Sequence, residues 1–217
     1  MIRAYDKIYL DKARTALGRM LDFAVYDLGY DISEFFEMFV RSGIASRFER
    51  GDYAIIVGKS GVELAYEVLL AVGIDRERIK PNYTADRSEE YWLGWALAYY
   101  QWETAIGFKE IIKYVPIGEL LALYTPYHEM DIRQFVDKIN SLYRKAKPDT
   151  NLKLRRRALG FSQRELAELS GVPVRTIQQY EQRQKNINKA QVEYLLSLSQ
   201  VLCCEVKDLT ESIIDTN

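Results

Sequence analysis

Residues 161–182 read FSQRELAELSGVPVRTIQQYEQ, and this stretch decides the fold of the C-terminal part of the chain. Ser162 and Glu165 have the S-x-x-E spacing of a capping box, which opens a helix by satisfying two backbone N–H groups reciprocally. Leu166, Ala167 and Leu169 supply the inner face of that helix, and Ala167 is small enough for close helix approach. Gly171 stands where a turn needs a residue tolerant of positive φ. Pro173 follows at the first position of a second helix, where a missing N–H costs nothing. Val172, Ile177 and Tyr180 then face inward, and Val174, Arg175, Gln178 and Gln179 face outward. The pattern predicts two short helices joined by a tight turn, an arrangement that can place a helix in the major groove of DNA. The four outward residues are of types that read base edges there.

At these residues the chain resembles the phage-repressor-like helix-turn-helix family (the Cro/cI or XRE class). The resemblance rests on Leu152, Arg156, Leu159, Gly160, Ser162, Gln163, Leu166, Ala167, Gly171, Ile177, Tyr180 and Glu181 at fixed spacing. Leu195, Leu198, Leu202, Val206 and Leu209 match the two helices that close such a bundle. The resemblance implies a five-helix lambda-repressor-like DNA-binding domain, with Arg156 and Glu181 as a structural ion pair. It implies that residues 173–182 form the recognition helix. There Arg175 would pair with guanine, Gln178 and Gln179 with adenine, and Val174 would meet a thymine methyl. Gln163 matches a position that touches phosphate in the family, and Arg183, Lys185, Asn186 and Lys189 are further phosphate candidates. Such domains usually act as dimers on two-fold sites. The dimer contact is expected from the N-terminal domain or from the apolar tail Ile213-Ile214.

Two residues depart from the family pattern. Val172 and Pro173 occupy the corner where Ser or Thr usually caps the recognition helix, a cap worth about 1 kcal/mol. Cys203 replaces the glycine that usually follows the fourth helix, and a non-glycine residue in the left-handed region costs on the order of 1 kcal/mol. That turn is therefore either strained or built differently.

Charge is unevenly divided along the chain. The 217 residues carry a net charge of −1. From Arg144 to Asn217 there are 13 Lys and Arg against 9 Asp and Glu, whereas the first 143 residues carry 17 against 22. Between Arg144 and Lys189 the excess reaches +8, the footprint expected of a DNA-facing surface. No apolar run is long enough for a membrane span, and no apolar segment follows the first residues as in a secretory leader. Cys203 and Cys204 are the only cysteines, so no disulfide framework is expected and a cytoplasmic setting is. No cofactor is expected.

The chain reads as all-α. The domains are expected at 1–147 and 148–217, with Pro148 blocking helix continuation in the polar segment between them. In the first domain the spacing predicts helices over 11–28, 31–42 (Asp31 with Glu34 as a capping box), 60–72 (Ser60 with Glu63), 91–106, 108–114, 118–124 and 130–145. Tyr53 to Val57, YAIIV, reads as one short strand or extended segment. Trp92, Trp95, Tyr99 and Trp102 fall on one face of the 91–106 helix, which is apolar nearly all round. That pattern favours a buried central helix, and the alternative is a partner-binding surface.

Motifs for chemistry are weak. Gly58-Lys59-Ser60 resembles the end of a phosphate-binding loop, but Tyr53 stands where the motif needs glycine. His128 is the only histidine and has no second histidine for a metal site nor a nucleophile context. An enzyme is the least supported class. The leading expectation is a sequence-specific, dimeric transcriptional repressor binding double-stranded DNA. The alternative is the antitoxin of a toxin–antitoxin operon, whose N-terminal domain neutralises a toxin while the C-terminal domain autoregulates. A third possibility is a small-molecule sensor, with the Trp/Tyr helix lining a pocket.

Overall fold

A computed structural model describes residues 3–82 and 86–211. The chain divides after Ala146 into two compact units. Among the described residues both are helical and neither contains a strand.

The N-terminal unit is arranged around α1 (Leu10–Asp22), whose Leu17, Met20 and Leu21 are fully buried. A π-helical turn, Phe23–Asp27, extends it, and Gly29 ends it at φ +76°. There follow α2 (Ile32–Arg41), α3 (Ile44–Glu49), α4 (Tyr53–Ile56), α5 (Gly61–Ala71) and α6 (Glu89–Thr104). After them come α7 (Phe108–Tyr114), α8 (Ile117–Leu121), α9 (Tyr124–Tyr127) and α10 (Ile132–Ala146). Caps explain several starts. Asp31 accepts from the N–H groups of Ser33 and Glu34 without the return bond from the Glu34 side chain, so α2 has an N-cap and not the expected box, whereas Ser60 with Glu63 forms the reciprocal capping box of α5.

Two glycines let α1 and α6 touch at the backbone. A Cβ on Gly94 would lie 2.6 Å from the Leu17 carbonyl and 2.8 Å from Gly18, and one on Gly18 would lie 2.7 Å from the Tyr91 carbonyl. Gly61 gives α5 a similar approach, its Cβ position lying 2.5 Å from the Met20 nitrogen. Around this layer Phe36, Phe39, Phe48 and Phe108 pack ring to ring, with centroids 5.5–6.4 Å apart.

Several expectations change here. YAIIV is not a strand. Asp52 accepts from the Ala54 N–H and starts a helical turn that buries Ile55 and Ile56. Tertiary burial and a local cap thus override the β-propensity of the run. Helix α3 was not expected, since it has no side-chain cap and begins from Gly43 at φ +79°. The tryptophan stripe is not uniform. Trp102 is fully buried, with its Nε1 donating to the Tyr5 carbonyl at 2.8 Å. Trp92, Trp95 and Tyr99 are half-buried, and the deepest face of α6 is Leu93, Gly94, Leu97 and Tyr100. The loop-like GKS tripeptide is structural, with Ser60 capping α5 and Lys59 paired with Glu67.

The C-terminal unit has five α-helices among its described residues: α11 (Asn151–Ala158), α12 (Gln163–Ser170), α13 (Val174–Glu181), α14 (Val192–Val201) and α15 (Val206–Leu209). Leu152, Leu166, Val172, Ile177, Tyr180, Leu195, Leu198, Leu202 and Leu209 belong to its core. Leu169 does not join them: it is 59% exposed, in the last turn of an eight-residue helix that runs past this small core. Cys203 takes φ +49° after the Leu202 cap, so the turn has the left-handed geometry without the glycine. Ile213 and Ile214 lie outside the described residues.

Gly94→Ala should lower the stability of the N-terminal unit by about 1–3 kcal/mol, because the added methyl meets backbone. Gly118, with nothing within 4 Å of its Cβ position, is the control, and Gly118→Ala should leave the urea midpoint unchanged or slightly raised. In the C-terminal unit, Cys203→Gly should stabilise by about 0.5 kcal/mol, the relief of left-handed strain exceeding the added chain entropy. Calorimetric melting of the variant beside wild type tests this, and a lowered Tm would contradict it.

Candidate nucleic-acid interface

The helix pair α12 and α13 is defined by its ends. Glu165 accepts from the Ser162 N–H at 2.7 Å, and Ser162 Oγ accepts from the Glu165 N–H at 3.1 Å. These bonds favour the ionised carboxylate and hold the Glu165 pKa below its ordinary value. Gly171 closes α12 at φ +69°, its N–H donating to the Ala167 carbonyl at 2.9 Å. Ser170 Oγ donates to the Leu166 carbonyl and accepts from the Val172 N–H, which fixes the turn. Pro173 is one position earlier than the sequence reading placed it. It is the N-cap of α13, at φ −56° and ψ 135°, and its carbonyl accepts from Thr176 and Ile177. The helix proper is Val174–Glu181, and Gln182 is its C-cap rather than its last residue.

Arg156 of α11 and Glu181 of α13 meet as a bidentate pair. Nε donates to Oε1 at 2.6 Å and Nη2 to Oε2 at 2.9 Å. Their side chains are 10% and 1% exposed, and Arg156 Nη1 also donates to the Phe161 carbonyl at 2.6 Å. The carboxylate holds the Arg156 pKa above its usual value. Gln163 is a third member. Its Nε2 donates to Glu181 Oε2 at 2.7 Å, and its Oε1 accepts from Gln178 Nε2 at 3.4 Å. A hydrogen-bond path therefore runs from the buried pair to Gln178, on the outer side of α13.

On that outer side Arg175 is exposed, and Val174, Gln178 and Gln179 are half-buried. The Gln179 carbonyl accepts from the N–H groups of Gln184 and Lys185, which shapes the loop after the helix. Lys185 and Lys189 are exposed. Asn186 Oδ1 accepts from the Asn188 N–H and so caps the short 3₁₀ turn Ile187–Lys189. Arg183 differs from the others. At φ +54° it turns back into the unit, donating to the Pro148 carbonyl and to Glu211, each at 2.9 Å.

Many of the basic residues are neutralised inside the unit. Lys153 and Arg157 share Asp149, Arg155 pairs with Asp208, and Lys207 with Glu205. Arg156 and Arg183 are held by Glu181 and Glu211. Among the described residues of this unit Arg164, Arg175, Lys185 and Lys189 pair with no carboxylate. All four lie between the first turn of α12 and the loop that follows α13. Arg164, exposed in that first turn, was not singled out by the sequence reading. Only the map of paired charges distinguishes it from its neighbours.

A helix pair with a fixed turn, a polar outer face and unpaired cations on it and in the loop that follows has the form of a helix-turn-helix unit. Residues 152–204 match the helix-turn-helix family model. The match lies wholly within the C-terminal unit, where it supports DNA binding of the XRE type, and it touches none of the N-terminal unit. Searches of curated proteins and of solved structures give no match. No helix of the described residues is long and apolar enough to cross a membrane.

Glu181→Ala should cost about 3–5 kcal/mol, because it strands the Arg156 guanidinium in a nearly dry site. Gln163→Ala should cost much less, since Arg156 keeps its carboxylate. Urea unfolding followed by circular dichroism separates the two, and similar midpoints would show that the pair does not anchor the unit.

Proposed function

We propose that this protein is a sequence-specific repressor that binds double-stranded DNA as a homodimer and covers a promoter. The observation that carries the reading is the placement of the unpaired cations. Arg164, Arg175, Lys185 and Lys189 flank the outer side of α13, while the other basic groups named above are spent on the fold. In this reading α13 enters the major groove by its N-terminal half. Arg175 donates two hydrogen bonds to guanine, Gln178 and Gln179 pair with adenine, and Val174 packs on a thymine methyl. Lys185, Lys189, Arg164 and the Asn186 amide contact phosphates and set register. Gln163 serves Gln178 and a phosphate together, since its amide already bridges Glu181 and Gln178. Arg183 keeps its structural bonds. One such unit covers too little DNA for strong specificity, hence the dimer. Exposed Val192 and Leu196, four residues apart on α14, offer an apolar strip for self-association.

Fluorescence anisotropy on the protein's own upstream DNA and on scrambled DNA, across a salt series, tests the reading. Gln178→Ala/Gln179→Ala should abolish the preference for the upstream sequence, each bidentate contact being worth roughly 1–3 kcal/mol. Lys185→Ala and Lys189→Ala should weaken binding to both DNAs and each reduce the log–log salt slope by about 1. Equal affinity of the wild type for both DNAs would refute sequence reading at this locus.

A further inference from the structure

The N-terminal unit contains a cavity that the DNA-binding reading does not use. Its volume is about 270 Å³, and Trp92, Trp95, Tyr124 and Tyr127 line it together with His128 and Arg87. The aromatic wall is held in place by other rings. Trp92 packs edge-on against Tyr124 and Phe135, with centroids 5.6 and 5.0 Å away. His128 stacks on Tyr124 at 4.2 Å with the planes 13° apart, and its Nδ1 donates to the Tyr124 carbonyl at 3.0 Å. The Arg14 guanidinium lies 3.1 Å from the Trp95 ring centroid. Such a wall is preorganised for a flat, polarisable guest.

The charge beside this wall identifies the guest further. Arg87 rests over the Tyr91 ring at 4.6 Å and pairs with no carboxylate among the described residues. A guanidinium presents five donors in a plane and matches a carboxylate bidentately. Of the acidic groups next to lining residues, Glu129 is turned to His128 Nε2 at 3.5 Å, and Asp131 Oδ1 accepts from the Arg133 N–H at 2.8 Å. Glu89 and Glu90 sit in the first turn of α6, and Glu90 is buried in the unit. A cationic guest would meet Arg87 unfavourably. Size also matters: a dry cavity of roughly 150 Å³ already holds a benzene ring. The larger volume here has room for a fused bicyclic ring with its acid group.

We propose that this cavity binds a planar aromatic carboxylate, with the ring among Trp92, Trp95, Tyr124 and Tyr127 and the carboxylate on Arg87. Calorimetric titration of the full chain with β-naphthoate and with its neutral amide tests it. The acid should bind saturably and at least about tenfold more tightly than the amide, the increment of one charge-assisted contact. Arg87→Gln, at an exposed position, should erase that difference while leaving the amide unchanged. Tyr127→Leu should weaken both guests, with thermal melting confirming the fold. No saturable heat with β-naphthoate, equal binding of acid and amide, or an indifferent Arg87→Gln would each overturn the proposal. Unchanged binding in Tyr127→Leu would place the guest elsewhere and overturn it too.

Discussion

The Arg156–Glu181 pair is the interaction on which the C-terminal unit depends. Two charges taken out of water repay their desolvation only when geometry and extra hydrogen bonds are good. Here both conditions are met: the contact is bidentate, the Phe161 carbonyl takes a third donor of Arg156, and Gln163 supplies Glu181 with another N–H. The pair joins α11 to the end of α13. Because Glu181 is the last residue of that helix, fixing it fixes the rotation of α13 about its own axis. Rotation is what decides whether Arg175 and Gln178 face outward, so a bond on the inner side controls the chemistry of the outer one.

The N-terminal unit solves a different problem. Its helices α5 and α6 are apolar on several faces, and burying them without a sheet requires close layers. Glycines at 18 and 94 remove the side chains that would keep α1 and α6 apart, and Gly61 does the same for α5. Helices that meet at the backbone gain many dispersion contacts per residue. Their aromatic neighbours fill the remaining angles. The same economy leaves Trp92 and Trp95, in the N-terminal half of α6, only half covered, and these rings form part of the cavity wall.

What was legible in the sequence follows from the range of the interaction. The boxes Ser60/Glu63 and Ser162/Glu165 were readable because four consecutive residues contain all the chemistry. The glycine at position 171 was readable for the same reason. By contrast, YAIIV looked like a strand because propensity is local, while the burial of Ile55 and Ile56 depends on elements far along the chain. The inner role of Leu169 failed for a related reason, since periodicity assigns a face and says nothing of where the core ends. Gln163 came to notice through the family pattern as a phosphate contact. Its bonds to Glu181 and Gln178 depend on three side-chain rotamers, which no spacing encodes.

Charge shows the same division between composition and arrangement. The basic excess between Arg144 and Lys189 overlaps the segment that matches the helix-turn-helix family, but a count treats Arg156 and Arg175 alike. In the fold, Asp149 neutralises two basic groups and Asp208, Glu181 and Glu211 one each. Those pairs are part of the scaffold, and a cation already beside a carboxylate has less counterion charge to release when a polyanion arrives. Only cations still carrying their own counterions add to the entropy of phosphate binding. Among the described residues of this unit Arg164, Arg175, Lys185 and Lys189 have no carboxylate partner, a smaller and more local set than the net charge suggests. Confining them to one helix pair and its following loop gives the unit's unpaired positive charge a direction, because it is concentrated on the stretch that contains α13.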